Sequence, residues 1–319
     1  MTRDRNESTP IALRPGPAGK IDHVDRRSWS LLVAVGAIWG ASFLMAAIAL
    51  RDLSPGFMTF LRTGFAALVM LPIALRRGAL HGLRQHVGAI VVVGVVQLAG
   101  PFLLIAFGQF EVASGLAGVL VASTPLWTAL LARGFDDEER SHGWSLVGVA
   151  VGIVGVAVLL GLELRGSTAE LLGGAMLLLA GLGYAAGGFV VKRRLGDVQP
   201  VGVVTAAMLA GALLLIPLAT ATAPSEMPST GTLVAALALG TIAGGVGWLG
   251  YYTLIAGVGP ARASITIYVV PAFAVLYGIV LLDEPASAGT FAGLVLIVGG
   301  SWLAAGGRPR RPQESISQG

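Results

Sequence analysis

Apolar residues along this chain form long runs that are separated by short polar segments. A helix needs roughly 20 apolar residues to cross the hydrocarbon core of a bilayer, so each run predicts a transmembrane helix. The ten predicted spans are Ser30–Leu50, Pro55–Leu75, Val87–Phe107, Val112–Ala132, Trp144–Leu162, Leu171–Val191, Pro200–Leu218, Thr232–Tyr252, Ala263–Leu282 and Thr290–Ala305. The pattern predicts an all-α integral membrane protein of ten transmembrane helices.

The basic residues sort with this count of spans. Of the 21 lysines and arginines, 18 fall in the two terminal tails or in connections on the same side as the N-terminus. Only Arg51 and Arg165 fall on the other side, and Arg62 lies inside the second span. Cytoplasmic loops carry the excess of basic residues in membrane proteins, so we expect both termini to be cytoplasmic.

Composition agrees with a membrane protein and excludes several other classes. Hydrophobic residues make up 55% of the chain and charged residues 12%, about half the share usual in soluble domains. The net charge of +4 comes from tails and loops rather than from a basic patch, which argues against nucleic-acid binding. The chain has no cysteine, so disulfides and thiolate metal sites are excluded. The polar first 29 residues precede a full-length span, so no cleavable signal peptide is expected.

The chain repeats itself at an offset of 145 residues. The offset pairs Trp39 with Tyr184, Pro55 with Pro200, Pro72 with Pro217, Glu139 with Glu284, Gly148 with Gly293 and Gly155 with Gly300, and an offset of 146 pairs Pro125 with Pro271. The alternative is that apolar helices resemble one another through composition alone. A true repeat divides the chain into a tail (1–29), two five-helix units (30–162 and 163–305) and a second tail (306–319). Because five spans is an odd number, the two units must be inverted, as in many secondary transporters.

Several short motifs extend this pattern. They are Trp39-Gly40-Ala41-Ser42-Phe43, Arg62, Pro125, Glu139-Arg140, Gly148 and Gly155 in the first unit, and Ala261-Arg262-Ala263-Ser264, Pro271, Glu284, Gly293 and Gly300 in the second. With them the chain resembles the EamA-type transporters of the drug/metabolite transporter superfamily over residues 30 to 305. The resemblance implies a ten-helix bundle that moves small metabolites and leans toward export. Tyr184, where the family has a tryptophan-like position, and the acidic Asp136-Asp137-Glu138 depart from the pattern and leave the substrate class open.

Two polar side chains are predicted at membrane depth, where such groups are costly. Arg62 lies roughly 10 Å inside the outer end of its span, at about 1.5 Å per residue. It would attract an anionic group such as a carboxylate, or it would extend to the outer interface or bind backbone carbonyls in a structural role. Gln97 lies at the centre of the third span, so its amide must either bond a neighbouring helix or line a wet cavity.

Aromatic and hydroxyl residues near the centres of other spans complete the candidate substrate site. They are Trp39, Ser42, Tyr184, Trp248, Tyr252, Ser264 and Tyr268. Together they would form an apolar pocket with a few donors, although pairs spaced four apart also arise from packing within a helix bundle. Pro125 and Pro271 occupy equivalent positions and are candidate kinks or gating points, with a packing kink as the alternative.

The sequence predicts no cofactor, no metal site and no catalytic residue. It lacks a phosphate-binding loop, and the acidic run at 136–139 reads as a solvated loop without partner histidines. Glu139 and Glu284 are expected to stabilise the start of the span that follows each of them. No carboxylate or histidine is expected in mid-membrane, which favours facilitated diffusion or coupling through the substrate's own charge.

The predicted function is a secondary transporter of small metabolites such as amino acids, in a bacterial inner membrane. Its predicted partners are a small-molecule substrate and the lipid bilayer. A homodimer is possible, and the sequence does not decide it. A membrane-embedded enzyme on lipid-like substrates and a non-transporting sensor or scaffold are the alternatives. The first of these would need clustered acids or histidines at the membrane surface, and the second leaves an inverted repeat without a use.

Overall fold

The computed structural model describes residues 26–135, 144–163, 167–285 and 287–305, and within these ranges it contains helices but no strand. The spans are α1 (Arg26–Ala49), α2 (Pro55–Arg76), α3 (Leu83–Gly108), α4 (Ser114–Val121 and Thr124–Phe135), α5 (Trp144–Glu163), α6 (Thr168–Arg194), α7 (Pro200–Ala221), α8 (Thr230–Val258), α9 (Ile265–Leu282) and α10 (Ala288–Ala304). Nine of these described helices are long and apolar enough to cross a membrane, and α10 is a shorter apolar helix. The predicted fold class is confirmed. The acidic run at 136–139 and most of both tails lie outside the described residues.

The outside of the bundle is apolar. Leu68, Val280 and Val295 are each more than 60% exposed. Exposed side chains of this size are unfavourable in water but match the hydrocarbon core of a bilayer, where the backbone bonds of each span are satisfied within the helix. The surface therefore fits a bundle that is surrounded by lipid.

Serine residues define several helix starts. Ser54, Ser167 and Ser229 each accept a hydrogen bond from a backbone N–H in the first turn of α2, α6 and α8. Ser287 forms a reciprocal capping box with Thr290 at the start of α10. Because each span reverses the chain direction, the starts of α2, α4, α6, α8 and α10 share one face of the bundle. We call it the distal face, and the face that carries the start of α1 is the N-terminal face.

The contacts between spans follow an inverted two-fold pattern. When each span of the first unit is exchanged for its counterpart five spans later, the contact of α1 with α9 becomes that of α6 with α4, and both are present. The contacts of α2 with α8 and α3 with α6 likewise have their counterparts in α7 with α3 and α8 with α1. The pairs α2–α7, α5–α10 and α4–α9 map onto themselves. Most of the packing therefore joins one repeat to the other.

Two π-helical segments lie at equivalent positions of the repeats. Gly94–Ala99 interrupts α3, and Leu239–Val246 interrupts α8 at an offset of 145 residues. A π-helical turn widens the helix and re-aims its side chains, and it is frequent at functional sites. Both segments lie in the middle of their spans, where substrate sites of inverted-repeat transporters form.

The fourth span of each repeat is shaped differently. In α4 the helix breaks at Ala122 and Ser123, two residues before Pro125, which lies in the first turn of the second segment. In α9 a single helix runs through Pro271, and the interruption falls earlier, between the short helix Pro260–Ala263 and Ile265. The two halves thus have one sequence pattern in two conformations.

The α1–α2 connection is fastened to the start of α8 on the distal face. The Asp52 Oδ2 accepts a hydrogen bond from the Ser229 backbone N at 2.9 Å. Hydrogen bonds from Ser229 and Thr232 hold the pKa of the Asp52 carboxyl below its ordinary value of 3.8. A lowered folded-state pKa means that the carboxylate stabilises the fold above 3.8 and loses this contribution as the pH falls through the lowered value.

We therefore expect Asp52→Asn to lower the melting temperature near neutral pH, and the difference from wild type to vanish as the pH falls below 3.8. Thermal unfolding in detergent across this range measures it. Asp197→Asn, at an exposed aspartate of the α6–α7 connection, controls for the loss of one surface charge. Equal destabilisation by the two variants at every pH would contradict the assignment.

Candidate functional site

A cavity of about 300 Å³ lies in the middle of the bundle between the two repeats. It is bounded by α1, α2, α3 and α4 of the first repeat and by α6, α8 and α9 of the second. Its lining residues are Trp39, Ser42, Phe43, Arg62, Gln97, Phe102, Ile105, Gly118, Val121, Ala122, Thr124, Tyr184, Ala243, Gly244, Trp248, Tyr251, Ile267 and Val270. The lining is largely apolar and aromatic, with a few polar groups, as in sites for small organic molecules.

Two aromatic pairs face the cavity and are related by the repeat. Trp39 and Trp248 are T-shaped with ring centroids 5.4 Å apart, and Tyr184 and Phe102 are T-shaped at 6.3 Å. The offsets that relate the pairs are 145 residues from Trp39 to Tyr184 and 146 residues from Phe102 to Trp248. Each pair joins the two repeats, so the inverted symmetry places aromatic surface on both sides of one central space.

Arg62 is a buried cation on the wall of this cavity. It is 8% exposed, and its Cζ lies 3.6 Å from the centroid of the Phe102 ring. This contact is a cation–π interaction, which is stronger when water is excluded. Within the described part of the chain, the Arg62 Nε has no hydrogen-bond partner. An offset of 145 residues leads from Arg62 to Ala207, so the charge has no counterpart in the second repeat.

Two other donors of the wall, the Trp39 indole and the Ser42 hydroxyl, are used within the protein. The Trp39 Nε1 donates to the Ala243 carbonyl oxygen at 3.2 Å, across the interface between the repeats. The Ser42 hydroxyl donates to the Trp39 carbonyl oxygen at 2.6 Å. Gln97 packs against Gly187 of α6. A Cβ placed on Gly187 would lie only 2.8 Å from the Gln97 Cγ. These contacts fix the shape of the cavity.

Among the described residues, the cavity wall carries a positive charge and no negative one. Its described lining contains one arginine and neither aspartate, glutamate nor histidine. In the described residues, no group of three or more histidine, cysteine or acidic side chains could hold a metal ion. The electrostatics of this wall therefore favour an anionic group near Arg62.

Glu284 joins the end of α9 to the start of α4 on the distal face. Its Oε1 accepts from the Ser114 backbone N at 2.7 Å, and its Oε2 accepts from the Gly115 backbone N at 2.9 Å. The chain reaches this position because Asp283 ends α9 in the left-handed region, at a φ of 54°. The carboxylate thus stabilises the start of α4, where the helix dipole favours negative charge. The sequence assigned this role to the start of α10, and this was wrong: Ser287 caps α10 instead.

The packing around this contact differs between the two faces. The distal segment of α4, Ser114–Val121, packs along α9, with Gly118 directly against Ala274. Its second segment, Thr124–Phe135, packs against α6 and α10 and has no comparable described contact with α9. The two pseudo-equivalent helices therefore meet on the distal face and separate toward the N-terminal face.

The sequence matches a known family over most of its length. Residues 27–161 and 171–306 each match the EamA-like transporter family. The chain belongs to the EamA-like transporter family. The family model thus matches the chain twice, once in each half.

Named relatives of this EamA-like chain are transporters. The uncharacterized inner membrane transporter YedA of Escherichia coli (strain K12) is 33% identical over 264 residues, which are 80% of this chain and 83% of the relative. A probable amino-acid metabolite efflux pump of the same strain is 25% identical and covers 88% of this chain and 95% of its own. A probable terminal-alkyne amino-acid exporter of Streptantibioticus cattleyicolor is also 25% identical, over 80% of this chain and 85% of its own.

A solved crystal structure has the same fold. It superposes with a TM-score of 0.63 at 21% sequence identity and covers 88% of this chain and 97% of that one. At this identity the likeness concerns the fold alone. The chain is therefore an all-helical, multi-pass membrane protein of the EamA-like family.

The structure brings most of the sequence-predicted site residues of this EamA-like chain to the cavity. Six of them line it: Trp39, Ser42, Arg62, Gln97, Tyr184 and Trp248. Three lie elsewhere. Tyr252 packs in the core that α2, α3 and α7 share, the Tyr268 hydroxyl donates to the Ser301 carbonyl oxygen at 3.3 Å, and Ser264 is the N-cap of α9.

Other lining residues were not predicted from the sequence. Tyr251 lines the cavity, whereas the spacing of four residues from Trp248 predicted Tyr252 at this position. Phe102 could have been found, because it is the repeat counterpart of Trp248. Small lining residues such as Gly118 and Gly244 carry no such signal, since the chain has 46 glycines and the sequence does not distinguish those that line a cavity.

Proposed function

We propose that this protein is a secondary transporter that exports small amphipathic metabolites, such as amino acids and their derivatives. The observation that carries the proposal is the central cavity, whose wall combines residues of both inverted repeats. A site between inverted repeats can be opened to one side and then to the other when the halves exchange conformations. The printed names of two relatives, an amino-acid metabolite efflux pump and an amino-acid exporter, support the substrate class.

The different shapes of α4 and α9 support alternating access. In this conformation Glu284 and the Gly118 contact hold the two helices together on the distal face. They separate toward the N-terminal face, so we propose that the cavity is reached from that side. In the other conformation α9 would take the shape of α4 and the distal side would open.

The charge distribution supports an orientation with the N-terminal face in the cytoplasm. The excess of basic residues on that side follows the positive-inside rule. The relative YedA is named as an inner membrane transporter, so the same membrane is proposed here. With this orientation, the described conformation would load substrate from the cytoplasm, as export requires.

Flux through reconstituted protein tests the proposal. We expect liposomes that contain the purified protein to move at least one member of a panel made of L-phenylalanine, L-leucine, N-acetyl-L-phenylalanine and L-phenylalanine amide. Val121→Trp should abolish this flux because the larger side chain fills the cavity that Val121 lines. Val295→Trp is the matched control, since Val295 is 69% exposed on the outside of α10.

The readouts are the rate of labelled solute release and the elution profile of each variant in detergent. Flux that Val295→Trp retains and folded Val121→Trp lacks would support transport through the cavity. Absence of flux for every member of the panel, with folded wild-type protein, would overturn the proposal. Equal flux in both variants would show that the solute does not pass through the cavity.

A further inference from the structure

We infer that the cavity selects substrates with net negative charge, namely amphipathic monocarboxylates without a free amine, over zwitterionic amino acids. The inference rests on the proposed transport function and specifies its substrate class. It comes from Arg62, the charged residue of the lining, and from the lack of a carboxylate among the lining residues that the structure describes.

Arg62 has the geometry of a binding group that awaits a partner. Arg62 is 8% exposed, and its guanidinium lies over the Phe102 ring. Its Nε is buried and has no hydrogen-bond partner among the described residues. The five N–H donors of a guanidinium lie in its plane, so an aromatic ring on one face leaves them available. A buried cation without a counter-ion is costly, and a bound carboxylate would remove this cost.

An ammonium group finds no equivalent partner in the same space. The lining residues include no aspartate or glutamate. The wall offers an ammonium only neutral acceptors, such as the Gln97 amide oxygen, and aromatic faces, which hold a cation less strongly than a carboxylate does. A zwitterion would therefore recover less at its ammonium than it gains at its carboxylate, while a molecule with a masked or absent amine has no ammonium to desolvate.

The remaining wall defines the other end of the ligand. Trp39, Trp248, Phe102 and Tyr184 present ring surface on both sides of the cavity. Such surface favours an apolar or aromatic body of the size of a phenyl or indole group. The fitting class is thus an aryl or alkyl carboxylic acid, or an N-acylated amino acid.

The lone position of the charge has a consequence for energy coupling. In the part of the lining that the structure describes, no histidine or carboxylate could carry a coupled proton. An anion that crosses alone moves charge, so a membrane potential that is negative inside drives it outward. Export of a monoanion would then need no coupling ion, which agrees with coupling through the substrate's own charge.

Equilibrium binding of three ligands with one body and three charges tests the inference. The probes are N-acetyl-L-phenylalanine (net negative), L-phenylalanine (zwitterionic) and L-phenylalanine amide (net positive), titrated against the full chain in lipid nanodiscs. We expect affinity to fall in that order, with at least about a tenfold ratio between the first and the last. Arg62→Gln should weaken binding of the N-acetyl compound about tenfold or more and leave the amide unchanged or tighter.

Two variants control this result. Arg62→Lys keeps the charge and should retain the order of the three affinities. If Arg62→Gln folds poorly, this lysine variant still tests whether a positive charge at position 62 sets the order. Arg51→Gln removes an exposed arginine of the α1–α2 connection and should change none of them. Elution profiles in detergent report folding for each variant.

The outcomes separate this inference from the proposed function. Equal affinity for the three probes, or a uniform loss in Arg62→Gln, would overturn the anion preference and assign Arg62 a structural role. Absence of binding for all three would also overturn it, while the flux panel would still decide transport. Binding in the expected order without flux would support the anion site and count against the transporter. Stimulation of N-acetyl-L-phenylalanine release by a potassium diffusion potential that is negative inside, relative to protein-free liposomes, would support outward movement of the anion.

Discussion

Replacing Glu284 by glutamine is expected to weaken the contact between α4 and α9 on the distal face, which we call the distal seam. A thiol placed at residue 114 should then react with water-soluble reagents about tenfold faster or more. The carboxylate accepts two backbone N–H groups at the start of α4. Glutamine keeps a single acceptor and loses the charge that the helix dipole favours. Hydrogen bonds to charged groups contribute about 1.5–3 kcal/mol, which corresponds to about a 10- to 150-fold change in the fraction of open molecules.

The absence of native cysteine makes this measurement direct. Ser114→Cys is close to isosteric, lies at a residue that is 2% exposed, and supplies the only thiol. The rate of its reaction with a maleimide in proteoliposomes is compared with and without Glu284→Gln. Asp283→Asn is the matched control, because it removes the neighbouring acid and asparagine tolerates the left-handed φ of 54°. An unchanged rate in folded Glu284→Gln would show that Glu284 does not hold the seam closed.

Replacing Gly300 by alanine is expected to destabilise the protein by about 1–3 kcal/mol, the usual cost of overpacking. A Cβ at Gly300 would lie 2.7 Å from the Gly148 carbonyl oxygen and 2.7 Å from the Gly152 Cα. These are backbone atoms of α5, so the two helices must separate. This contact joins the last spans of the two repeats, where small residues let the backbones approach.

The adjacent Gly299 supplies the control for this effect. Among the described residues, no atom outside the adjacent turns of its own helix lies within 4 Å of a Cβ placed there, so Gly299→Ala changes helix propensity in the same span without a collision. The difference in melting temperature between the two variants in detergent therefore isolates the α5–α10 contact. Equal melting temperatures would mean that the helices can shift apart without loss, contrary to the close packing.

Both effects act on contacts between the repeats rather than within them. Glu284 joins the end of α9 to the start of α4, and Gly300 joins α10 to α5. The seam at Glu284 must break for the distal side to open, whereas the α5–α10 pair maps onto itself under the exchange of the repeats. We therefore expect Glu284→Gln to change which side is accessible, and Gly300→Ala to change stability.

The sequence determined the architecture of this protein because the bilayer leaves few alternatives. Backbone polar groups must be satisfied within each span, so an apolar run of sufficient length predicts a helix with its position in the chain. The ten spans follow from this rule alone. The odd number of spans per repeat then requires inversion. The repeat offset also led to Trp39 and Tyr184, which the structure brings to one cavity.

Tertiary structure alone decided what depends on contacts between distant segments. Trp248 and Tyr251 line the cavity from the regular helical turns that follow the π-helical segment of α8. Spacings of three and of four both place side chains on one helix face, so only the packing of the bundle decides that Tyr251 rather than Tyr252 lies on the wall. The repeat pairs Pro125 with Pro271 and so predicts one shape for α4 and α9, but the structure breaks α4 before its proline and runs α9 through its own. The partner of Glu284 lies 170 residues away along the chain, at Ser114. A residue's membrane depth can be read from its position in a run, but the group that it faces depends on how the helices cross.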